Sequence, residues 1–143
     1  MPEDSQPATP LRTSIQEGEL KYLCLVYNDQ KKLDSLTPSE YDALVAEIIA
    51  YDEDIRQSGH CATSNALEFV ATATSIRVRG DNIAISDGPF VESKEQLAGY
   101  VLIEARDLNE AIRIVARMPP ARMGGVEVRP VRDISPGHDG RRA

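Results

Sequence analysis

The stretch "DGPFVESKEQLAGY" gathers the charged residues of this chain that are best spaced for chemistry. Asp87 stands in front of a Gly-Pro turn, and Glu92, Lys94 and Glu95 follow shortly after. A carboxylate at the mouth of a pocket can serve as a general base if burial lifts it above the ordinary Asp value near ~4. Lys94 can hold an anionic group as a point charge. Phe90 can plug the core beneath the turn or form a platform for a ring. Each group also has a plain structural role. An Asp before Gly-Pro commonly accepts a backbone N–H and holds the turn, and a run of charges commonly forms a solvated face. The residues alone leave both readings open.

Other candidates lie further off. His60 follows Gly59 at the expected end of a helix. There it can favour the helix dipole when protonated or transfer protons near neutral pH. Tyr27 closes the first strand, and strand ends open towards clefts. Arg122 can clamp a carboxylate. The candidate set is therefore Asp87 as catalytic residue, with Tyr27, His60, Phe90, Lys94 and Arg122 as ligand contacts. A metal site built from several histidines is excluded, because only His60 and His138 exist. There is no C-x-x-C pair, no Ser-His-Asp order and no glycine-rich phosphate loop. We expect no cofactor. Cys24 and Cys61 read as small apolar fillers in a reduced, cytoplasmic chain. The net charge of −7 over 143 residues disfavours nucleic acid as a partner. No apolar run reaches the ~20 residues that would span a membrane.

These groups need elements to hold them. "KYLCLVYND" alternates, with Leu23, Leu25 and Tyr27 on one face and Tyr22, Cys24 and Val26 on the other. Both faces are apolar, so the strand should be covered on both sides. "TPSEYDALVAEIIAYDEDIRQSG" has Thr37 as N-cap, Pro38 at the first helical position and Glu40 to complete a capping box. Its expected buried stripe is Tyr41, Leu44, Val45, Ile48 and Ile55. "HCATSNALEFV" reads as a strand, and "TSIRVRGDNIAIS" as a hairpin turning at Gly-Asp-Asn. "GYVLIEA" is a further strand. "DLNEAIRIVARM" is a helix capped by Asp107, with a stripe at Leu108, Ala111, Ile112 and Val115, ended by Pro119-Pro120. "VEVRPV" is a strand that Pro130 places at an edge. Residues 1–19 read as a flexible leader, 20–133 as one domain and 134–143 as a flexible tail.

The order of strands and helices predicts an α+β fold. It is a ferredoxin-like antiparallel sheet with two helices on one face. The other sheet face would be bare and apolar. Such a face is a liability in a monomer, so the expected partner is a second copy, in a symmetric homodimer.

The words "DGPF", "KEQLAGY" and "VEVRP", in that order, resemble the DGPF-domain branch of the YCII-related family over roughly residues 20–132. The resemblance implies a ferredoxin-like domain that dimerises through its sheet into an α/β barrel. Some members resemble lyases or dehydrochlorinases acting on small ring compounds without a cofactor, using a His on the first helix and an Asp after the second. Those positions fall here at Ile48 and in the "RMPPAR" segment, at Met118 and Pro119. Three functions follow as expectations. The first is a homodimeric domain that binds a small molecule in a cleft near the DGPF turn. The second is a cofactor-free enzyme on a small ring or anionic substrate, with Asp87 as base. The third is a regulatory protein-interaction module linked to transcription.

Overall fold

The computed structural model describes residues 20–134. The leader at 1–19 and all of the expected tail beyond Ile134 lie outside the described residues, as does His138. The fold is mixed α/β with antiparallel sheets. In chain order the elements are β1 (Leu20–Asn28), α1 (Gln30–Asp34), α2 (Pro38–Gln57), β2 (Cys61–Ala66), β3 (Thr74–Arg79), β4 (Asn82–Asp87), β5 (Gln96–Ala105), α3 (Leu108–Ala116), α4 (Pro119–Met123) and β6 (Gly125–Pro130). A short 3-10 turn lies at Val70–Thr72. Strands β2, β5, β1 and β6 form one sheet in that order, and β3 and β4 form a second sheet of two strands. Pro130 falls on the edge strand β6, where its missing donor costs no ladder bond.

The sheet positions the core through its period of two. Tyr22, Cys24 and Val26 of β1 are buried on the helix side. Across the ladder, Tyr22 faces Ile103 and Cys24 faces Val101. Ile55 of α2, Ala111, Ile114 and Val115 of α3, and Met118 close over that row. On the other face Leu23 pairs with Leu102 and Leu25 with Tyr100, and all four stay half-buried.

Local signals set the helix ends. The Thr37–Glu40 capping box is present, with bonds of 3.1 and 2.9 Å. At the other end Gly59 takes φ 85°. The His60 N–H donates to Ile55 O and the Gly59 N–H to Arg56 O, which closes a Schellman motif. Asp107 caps α3 by accepting the Glu110 N–H at 2.9 Å.

Three expectations need correction. Two helices become four. Asp29 caps the short α1, and Pro119-Pro120, which ends α3, also starts α4, because proline suits a first helical turn. The buried α3 stripe is Ala111, Ile114 and Val115, continued by Met118 just past its end, while Leu108 and Ile112 are about half exposed. Both sets obey the same i, i+3, i+4, i+7 spacing, and the rotation of the helix on the sheet chooses between them. In α2, Ile55 alone is fully buried, and Tyr41 and Ile48 are exposed. The helix meets the sheet through its C-terminal turns.

Tyr51 ties α2 to α3 by donating its hydroxyl to the Ile114 carbonyl. Burial pushes that hydroxyl up to about 12 from 10.0, although the nearby Arg117 guanidinium pulls it down. Burial also lifts the Cys24 thiol from 9.0 to about 12. Both groups are neutral when protonated and harder to ionise in the folded chain. Their contribution is therefore complete below the unfolded values and is lost as pH rises through the folded ones. Unfolding midpoints measured between pH 9 and pH 12 should fall steadily, and Tyr51→Phe should flatten the upper part of that decline. An unchanged slope in Tyr51→Phe would contradict the assignment.

Candidate functional site

The DGPF bend borders a cleft of about 540 Å³. Gly88 sits at φ 93°, a left-handed value that favours glycine. Its N–H donates to Ala73 O, and the buried Ser75 hydroxyl donates to Gly88 O, each at 2.7 Å. These bonds hold the bend. Among the described residues Asp87 takes no part in them, and it stands exposed at the end of β4. Phe90 does not plug the core. It is 60 % exposed, and the Arg77 guanidinium lies 4.5 Å from its ring centroid. The reason is that β3 and β4 form their own sheet, so the segment after them does not lie over the core.

Gly88, Pro89 and Lys94 line the cleft, together with Asp29, Lys31, Val70 and Glu92. A neighbouring groove of about 490 Å³ brings Tyr27 and Lys94 together with Asp29 and Lys32. Asp29 is the residue that sequence reasoning missed here. It is only 5 % exposed, and its carboxylate accepts the Lys31 N–H at 3.0 Å. The signal was available in "YNDQKK", where an Asp between a strand and a polar run reads as an N-cap.

The remaining candidates lie elsewhere. The His60 ring Nδ1 is 3.0 Å from Glu104 O, at the opposite end of β5 from the cleft. Tyr27 pairs with Leu97, and His60 is bonded to Glu104 through the backbone. The two contacts are roughly 23 Å apart at the rise of an extended strand. Tyr27, His60 and Asp87 thus share no cavity among the described residues. Arg122 places Nη2 3.0 Å from both carboxylate oxygens of Glu47, which joins α4 to α2 on the surface.

A second cavity, of about 370 Å³, opens between α2, the start of α4, and strands β2 and β5. Its lining is largely apolar, with Ile48, Ile55, Val101, Met118 and Pro119 among its walls. One side is polar. The Ser64 hydroxyl donates to Asp52 at 2.9 Å, and Arg56 donates to Ser64 Oγ at 2.9 Å and to Asp52 at 3.2 Å. Ile48 and the Met118–Pro119 pair are far apart in sequence, yet they meet in this one space. They are the positions where the resemblance places a catalytic His and Asp. Among the described residues no group of three or more His, Cys, Asp or Glu is placed to hold a metal ion.

A family model described as "YCII-related domain" matches residues 20–135. This chain belongs to the YCII-related family. A protein of Rhizobium meliloti (strain 1021), described as uncharacterized, is 29% identical over 118 residues, covering 81% of this chain and 95% of the relative. Every strand and helix described above falls inside the YCII-related match. Membership carries the domain and not a reaction, because function lies in the site that each fold carries. In this YCII-related chain the α2 cavity sets Ile48, Met118 and Pro119 beside the polar group of Asp52, Arg56 and Ser64.

Proposed function

We propose that this protein is a homodimeric small-molecule-binding domain whose ligand occupies the α2 cavity without His–Asp chemistry. The observation that carries the reading is the cavity itself. It is concave, mainly apolar, and has one polar corner at Asp52, Arg56 and Ser64. That is the usual composition of a site for a small organic molecule. The corner is pre-organised, since Arg56 and Ser64 hold the Asp52 carboxylate in place. A ring compound with one hydrogen-bonding substituent fits such a space. The strand order β2-β5-β1-β6 supports a ferredoxin-like arrangement, and the words DGPF, KEQLAGY and VEVRP support the DGPF branch. The half-buried row of Leu23, Leu25, Tyr100 and Leu102 supports pairing of two sheets into an α/β barrel.

The test is a titration followed by methyl and amide NMR, using phenol, benzoate and toluene as probes. Shifts at Ile48 and Met118, saturable in the millimolar range, are the expected result. Ile48→Asp sets a charge against the apolar wall and should weaken binding by at least about tenfold. Recovery of each probe unchanged marks binding without turnover. No shift at the cavity with any probe would overturn the assignment. Shifts confined to Asp29 and Lys94 would move the ligand to the DGPF cleft, a reading that the buried Asp29 and the bordering lysines favour for a charged ligand.

A further inference from the structure

We infer that the α2 cavity takes an uncharged molecule carrying an O–H or N–H donor, and that Asp52 is the residue that selects it. The inference rests on the binding reading above and names the class of ligand. Asp52 and Arg56 are the charged residues among the cavity walls. Arg56 Nε lies 3.2 Å from Asp52 Oδ2, so the two charges balance within the corner. An anion or a cation entering there meets one attractive and one repulsive partner, and does not recover the hydration it gives up. The net charge of −7 on the whole chain weighs further against an anion. A cavity of about 150 Å³ already holds benzene, so the space of about 370 Å³ admits one substituted ring.

The hydrogen bonds already made fix the polarity of the ligand. The Ser64 hydroxyl has one proton, and the Asp52 carboxylate takes it, with Oδ1 at 2.9 Å and Oδ2 at 3.1 Å. The Ser64 oxygen in turn accepts from Arg56 Nη2 at 2.9 Å. The Tyr51 hydroxyl spends its proton on the Ile114 carbonyl. Asn65 and Tyr100 bond each other at 2.9 Å. They form the next pair along from Ser64 and Val101 on β2 and β5, so the period of two turns them to the other face of the sheet. Arg56 keeps further N–H groups, but its side chain is 47% exposed against 32% for Asp52, so those groups keep their water. Asp52 is different. A carboxylate offers about four lone-pair sites, and Ser64 and Arg56 fill only part of that capacity. Asp52 also lies one helical turn beyond Ile48 on α2, so its open acceptor adjoins the apolar wall. Such a site calls for a donor on the ligand.

Titrations of the full chain with phenol, toluene and benzoate, read at the Ile48 and Met118 methyl groups, test this. Phenol and toluene share a shape and differ in the donor, and benzoate brings a charge. Phenol should bind the wild type at least about tenfold more tightly than benzoate. In Asp52→Ala the phenol affinity should fall at least about tenfold while toluene stays within about twofold, and benzoate should bind more tightly because Arg56 loses its counter-charge. A variant that merely loosened the fold would weaken all three probes alike. Benzoate binding the wild type as tightly as phenol, or phenol and toluene losing equal affinity in Asp52→Ala, overturns selection by Asp52 while the cavity keeps its ligand. Silence of Ile48 and Met118 towards every probe overturns the binding reading itself, and this inference with it.

Discussion

Gly124→Ala should destabilise this protein far more than Gly125→Ala at the next position. Gly124 sits at φ −130°, so a left-handed backbone is not the reason. Space is the reason. A Cβ at Gly124 would stand 2.0 Å from the Tyr27 carbonyl oxygen and 3.0 Å from Asn28 Oδ1. Tyr27 is also the last β1 residue paired with β6, opposite Gly125. The clash is with backbone, and no rotamer change relieves it. Strand β6 must therefore move away from β1 just where the ladder begins. Overpacking of this kind costs about 1–3 kcal/mol, occasionally more, and a backbone clash places it at the upper end. At Gly125 a Cβ meets nothing within 4 Å. Urea denaturation of the two variants should give clearly separated midpoints, and coincident midpoints would refute the close approach.

Ile103→Ala should be the most costly truncation on the sheet. Ile103 is fully buried on the second strand from the edge. Tyr22 and Cys61 stand opposite it on the two flanking strands. A cavity there is bounded by the sheet backbone on one side and by the packed helix residues on the other, so collapse around it is limited. The expected loss is about 2–5 kcal/mol. Net stabilities of domains are about 5–15 kcal/mol, so a large part of the total is at stake. Ile49→Ala, at a side chain 60 % exposed, should stay within about 0.5 kcal/mol of wild type. The comparison uses one chemical change at two depths. Equal losses at the two positions would mean that the core does not lie where the register puts it.

The site was less legible than the frame. The DGPF bend was a candidate for either a site or a fold-holding turn, because its charges are adjacent in sequence. In the folded chain Asp87 is exposed, Phe90 faces outward beneath Arg77, and His60 sits at the far end of β5. The cleft beside the bend does form, and Lys94 does line it. The buried carboxylate in it is Asp29, which belongs to a different segment. The resemblance marked two positions of the α2 cavity, Ile48 and Met118, but the residue types there carry no signal of their own. Ile48, Ser64 and Met118 are ordinary residues in three separate segments, and only packing makes them neighbours.

Local chemistry in the chain was enough to determine the Thr37–Glu40 cap, the glycine stop at Gly59, the turn of the β3–β4 hairpin and the two-sided apolar pattern of β1. Each depends on residues a few positions apart, whose preferences act before any tertiary contact exists. Tertiary structure alone decided which stripe of α3 turned inward, which face of the hairpin stayed exposed and which side chains came to share a cavity. Those outcomes depend on how elements rotate and where they dock. Their energies are sums over partners distant in the chain, and no short window of sequence contains them.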